Sequence, residues 1–86
     1  MYKTIFVASA TAEGHPFSAQ CFARIDELVA TGVTDGVRSI THVENTDTII
    51  RTWIDLASAQ GWIDWVTANA PVGFPLATMT IEPVSP

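Results

Sequence analysis

The chain has 86 residues, 48% of them hydrophobic and 15% charged, with a formal net charge of −5 and four Lys and Arg in total. That length suits one domain spanning 1–86, the apolar share excludes intrinsic disorder, and the scarcity of cations excludes a nucleic-acid or anionic-membrane surface. Cys21 is the single cysteine, so an internal disulfide and a multi-cysteine metal site are both excluded.

Tyr2 to Ala8 is β-branched and aromatic and predicts the first strand. No cleavable leader is expected ahead of it, and no apolar run approaches the ~18 residues of a membrane span. A cytoplasmic location follows from these features and from the cysteine usage. Thr11 to His15 reads as a loop, after which Pro16 fits the first position of a helix, where its missing N–H costs nothing. Phe17, Cys21, Ile25, Leu28 and Val29 then recur at helical spacing, with Asp26 opposite them and Gly32 as the stop.

Thr34-Asp35-Gly36 predicts a turn, and Val37 to Val43 a second strand. A third runs from Thr48 to Ile54, joined to the second by the four residues Glu44-Asn45-Thr46-Asp47. Asp55 or Ser58 can cap a second helix whose apolar stripe is Leu56, Ala59, Trp62, Ile63, Val66 and Ala70, with Pro71 beyond its end. Gly73-Phe74-Pro75 turns the chain into a last strand from Leu76 to Glu82, ended by Pro83 and Pro86. The order β-α-β-β-α-β predicts an α+β, ferredoxin-like split sandwich, with both helices on one face of a four-stranded antiparallel sheet.

If Glu44 pairs with Asp47, one face of the hairpin carries Val37, Ser39, Thr41 and Val43 against Thr48, Ile50, Thr52 and Ile54. Aliphatic with small hydroxyls, this face is expected under the helices. The other face carries Arg38, Ile40, His42 and Glu44 against Asp47, Ile49, Arg51 and Trp53, and is expected to be open. A bare tryptophan forfeits ~4 kcal/mol of burial. Ile40, Ile49 and Trp53 are therefore the expected contact face of a homodimer, two sheets packing face to face.

Arg51, His42 and Trp53 share that face: a cation, a base titrating near neutrality and an aromatic that together suit an anionic or enolic ligand. Pairing of Arg51 with Glu44, Asp47 or a partner's carboxylate is the competing role. Trp62 lies mid-stripe and suits core filling. Trp65 falls about 130° from the stripe centre, on the flank of Ser58, Gly61 and Asn69, which suits either an interface or a lid over the Gly73-Phe74-Pro75 loop. Gly61, inside a helix, suggests close approach by a partner or ligand. His15 reads as a loop residue and Cys21 as packing. With two distant histidines and no clustered carboxylates, no metal and no cofactor is expected. The third strand lacks the basic and aromatic pattern of an RNA-recognition sheet, Cys-x-x-Cys is absent, and Gly14 stands alone where a phosphate-cradling loop needs several glycines.

The segment Ile50-Arg51-Thr52-Trp53-Ile54-Asp55-Leu56-Ala57-Ser58-Ala59-Gln60-Gly61-Trp62 resembles the dimeric α+β barrel proteins. The group it is most similar to is the antibiotic-biosynthesis-monooxygenase-like one, with its third-strand tryptophan, polar cap, small-residue helix start and helical aromatic. The order of elements agrees along nearly the whole chain. The resemblance implies a homodimer that binds a small apolar or aromatic molecule between helices and sheet, with cofactor-free monooxygenase-like activity. The candidate ligand contacts are Trp62, Trp65, Arg51 and His42. Haem-degrading members of the group use a first-strand asparagine, a second-helix tryptophan and a later histidine. Trp62 matches that tryptophan, but Ser9 stands in place of the amide and no histidine follows Trp62, so haem is not implied. The alternative function is a non-catalytic interaction or structural module, in which the same side chains are interface and core.

Overall fold

A computed structural model describes residues 1–9, 12 and 14–84. Thr11, Glu13 and Pro86, which the sequence assigns to the first loop and the chain end, lie outside the described residues. The elements follow as β1 (Tyr2–Ser9), α1 (Pro16–Ala30), β2 (Arg38–Val43), β3 (Thr46–Trp53), α2 (Leu56–Asn69) and β4 (Leu76–Pro83). The strands form one antiparallel sheet in the order β2-β3-β1-β4, the ferredoxin-like α+β fold.

Local chemistry sets the helix ends. Pro16 opens α1, and His15 caps it, its Nδ1 accepting the Phe17 N–H at 3.1 Å. Asp55 caps α2 by accepting from Ser58 N–H at 2.8 Å, so Asp55 and not Ser58 starts the helix. Ala70 closes α2 and Pro71 follows. Among the described residues no helix is long and apolar enough to cross a membrane.

The hairpin register differs from expectation by two residues. Val43 pairs with Thr46 and His42 with Asp47, so only Glu44 and Asn45 form the turn, with Glu44 at φ 55°. A two-residue shift leaves the alternation intact, because side chains repeat with period 2. The groups of residues sharing a face are therefore as read from the sequence, but the faces are exchanged. Trp53 and Asp47 are fully buried and Arg51 is buried, on the face that the helices cover. Thr4 and Phe6 of β1 share that face, opposite Arg51 and Ile49.

The core consists of Phe6, Phe17, Ile25, Trp53, Ala59, Trp62 and Val66, drawn from both helices and this one side of the sheet. Trp53 and Ile49 thus contribute to the interior of a single chain, and Trp53 has no surface to offer a partner. The physical reason is size: a sheet gains most by turning its largest aromatics toward the helices, and this outweighs the cost of carrying Arg51 and Asp47 inward with them.

The open face instead carries Ile5, Val7 and Ile50, half-buried, with Thr48 and Thr52 among them and exposed Ser39, Thr41, Thr78 and Thr80 around them. Ile5 pairs with Ile50 across β1 and β3. Lys3 and Glu82 form an ion pair at one corner, at 3.7 Å.

Candidate functional site

α2 packs closely on β1, β3 and β4, whereas α1 stands further from the sheet. Beneath α1 this leaves a cavity of about 60 Å³. Phe6, Ala8, Ile49 and Arg51 form its floor on β1 and β3. Ser18, Cys21 and Phe22 of α1 and Trp62 and Val66 of α2 roof it, while Phe74 and Leu76 close one side and Arg38 of β2 another. The walls are apolar apart from the two arginines, a hydroxyl and a thiol.

Trp62 is the hub of an aromatic row. Its ring stacks at 5.9 Å on Phe6, 5.8 Å on Trp53 and 5.6 Å on Trp65. Trp65 stacks in turn on Phe17 at 5.7 Å, Phe17 meets Phe74 edge-on at 5.0 Å, and Phe74 meets His15 edge-on at 5.1 Å. Offset-stacked and edge-on pairs within about 7 Å each add stability beyond their burial, so this row fixes α1, α2 and the loop before β4 relative to one another. Trp65 therefore belongs to the row joining the helices, with Phe17 between it and Phe74. Gly61 is exposed, and a Cβ there would meet nothing within 4 Å, so no described part of the same chain approaches it closely.

Arg51 is 6% exposed. Its guanidinium lies 5.9 Å from the centre of the Trp62 ring and donates from Nη1 to the Gly36 carbonyl at 3.3 Å. Among the described residues it forms no ion pair; Asp47, a sequence-expected partner, is instead engaged by His42 Nδ1. Burial, and next the charge of Arg38 opposite it in the β2–β3 register, lower the Arg51 pKa. Arg38 itself lies over the Phe22 ring at 4.7 Å.

Gly36 holds its carbonyl toward Arg51 from a turn pinned to β3 by Thr34, whose hydroxyl donates to Thr52 O at 2.8 Å. Its φ is 78°, and a Cβ there would lie 2.7 Å from Val29 Cγ2 of α1. Only glycine fits this position.

Of the four side chains singled out in the sequence, Arg51 and Trp62 meet at the cavity and Trp65 packs behind Trp62. His42 does not join them. It sits largely exposed on the edge strand β2, and its ring turns to the buried Asp47. Cys21, which its place on the apolar stripe marks as packing, also lines the cavity, and burial pushes its thiol up to about 11, partly opposed by Arg51. Arg38 was also missed as a cavity residue. Its pairing with Arg51 depends on a register two residues away from the one the hairpin sequence suggests.

Among the described residues no group of three His, Cys, Asp or Glu converges. Among the described lining residues, charge comes from the two arginines. The chain matches no family model and no curated protein.

Proposed function

We propose that this chain binds a small, largely apolar, ring-bearing molecule in the cavity between α1 and the sheet. The observation that carries this is the pairing of an apolar chamber, faced by Trp62, Phe6 and Phe74, with one buried cation, Arg51, in its floor. Apolar walls with a few placed polar groups are the usual composition of a small-molecule site. At about 60 Å³ the chamber takes only part of such a molecule, so the remainder emerges past Phe22 and Arg38 or α1 shifts outward to admit it. The reaction such a site would serve is the cofactor-free oxygenation known in the dimeric α+β barrel group that the sequence resembles. The substrate itself supplies the electrons there, and Arg51 holds the oxygen on which charge develops.

In the same proposal two copies pair through the open sheet face, with Ile5, Val7 and Ile50 at the centre of the contact. Their aliphatic side chains lie on adjacent strands and are ringed by threonines, whose small hydroxyls allow close approach of a second sheet.

Intrinsic tryptophan emission tests the ligand, since Trp62 faces the chamber. A panel of hydroquinones and hydroxylated aromatics should quench or shift it saturably, and Trp62→Phe should remove most of the response. Emission unchanged across the panel would favour a non-catalytic interaction module whose aromatics are core alone.

A further inference from the structure

We infer that the ligand of this cavity carries a carboxylate, which binds as a permanent anion on Arg51. The inference rests on the small-molecule proposal above and adds the charge of the molecule at rest.

Two of the chain's four Lys and Arg, Arg38 and Arg51, sit directly opposite one another on the helix-covered side of β2 and β3 and line the same cavity. Like charges directly opposed across a strand pair destabilise a sheet. A buried cation is costly unless it is paired and hydrogen-bonded. The chain carries a net charge of −5, so carboxylates are plentiful, and yet no described carboxylate pairs with Arg51. Among the described residues the protein gives the Arg51 guanidinium a single hydrogen bond, long at 3.3 Å, from a group with five N–H donors. Asp35 lies near enough to favour the charged form, but this is the weakest of the influences on Arg51, and its exposed side chain accepts the Val37 N–H at 2.9 Å.

The chamber thus holds a buried cation whose remaining donors have no described carboxylate to meet. An anion from outside supplies what is missing. A planar guanidinium fork matches a carboxylate through two parallel hydrogen bonds. Ser18 and Cys21 are the other polar side chains of the described lining besides Arg38. An apolar body extending from the carboxylate would then lie along Phe6, Trp62 and Phe74.

Matched pairs of probes test this: acetate against acetamide, and benzoate against benzamide. Binding is followed by the ring N–H signal of Trp62 and the guanidinium signals of Arg51 in NMR spectra of the full chain. The carboxylate of each pair should bind at least about tenfold more tightly than its amide, the scale expected for a charge-assisted pair. Arg51→Gln should abolish that preference. If carboxylate and amide bind equally well to the wild-type chain, the inference is overturned and the small-molecule proposal stands. If neither class binds, both fall. Should Arg51→Gln fail to fold, the wild-type comparison alone decides.

Discussion

Trp53 donates its indole N–H to Thr4 Oγ1 at 3.0 Å, and both side chains are buried between the sheet and the helices. Thr4 pairs in register with Arg51, and Trp53 lies two residues further along the same strand face. A tryptophan can enter a core whole only if its one donor finds an acceptor there. Thr4 supplies that acceptor from the neighbouring strand.

Thr4→Val keeps the shape of the side chain and removes the oxygen. Leaving the buried indole N–H unpaired should cost about 1–3 kcal/mol, visible as an earlier midpoint in urea with an unchanged slope. Thr4→Ser should recover much of the loss. A Thr4→Val chain as stable as wild type would show that the Trp53 N–H finds another partner.

Arg51→Met should behave in the opposite way. Replacing a poorly compensated buried cation by an apolar side chain of similar length is expected to stabilise the ligand-free protein by about 1–3 kcal/mol, measured by the same urea titration. Loss of stability in this variant would mean that the hydrogen bond to Gly36 and the contact with Trp62 outweigh the cost of burial.

Gly36→Ala strikes the same corner from the backbone. A Cβ 2.7 Å from Val29, at φ 78°, forces α1 or the turn to move. A loss of about 1–3 kcal/mol is expected, accompanied by a change in the Arg51 guanidinium signals, because Gly36 presents the carbonyl that receives them. An exposed glycine with open space around it, Gly61, provides the control; Gly61→Ala should be neutral or stabilising, by up to about 1 kcal/mol.

Cys21 gives a pH signature. Its folded pKa of about 11 lies above the ordinary value of 9.0, so the fold favours the neutral thiol. The resulting stability is fully present below pH 9.0 and is lost as pH rises toward about 11. Cys21→Ala should flatten the fall in stability across that window. Alkylation of Cys21 near pH 8 should be slow relative to the unfolded chain, because the thiolate is the reactive form; alkylation at the unfolded rate would rule the shift out.

The open sheet face makes a prediction about mass. Light scattering at micromolar concentration should give close to twice 9.3 kDa, and Ile50→Lys should return the chain to a monomer with unchanged far-ultraviolet circular dichroism. A wild-type monomer would remove the paired-sheet proposal and leave the cavity untouched, since its described lining comes from one chain.

Element order, the start of α1 at Pro16, the start of α2 near Asp55 and the sorting of residues onto two faces of the β2–β3 hairpin were legible in the sequence, whereas the capping by His15 was not. Each depends on short-range chemistry: Pro16 at a helix start, Asp55 three residues before Ser58, and the two-residue repeat of a strand. Alternation even survived the wrong turn length, because a slip of two residues preserves parity. It could not say which face turns inward. Both faces of the hairpin mix aliphatic and polar side chains, and Arg51 and Asp47 made the true inner face look like the wet one. Only tertiary packing decided this, by gathering Trp53, Trp62 and Phe6 into one aromatic cluster whose burial outweighs the charges drawn in with it. The cavity has the same origin. It exists because α1 stands further from the sheet than α2 does, and its described lining comes from both helices and all four strands, so it is written in no single stretch of the chain.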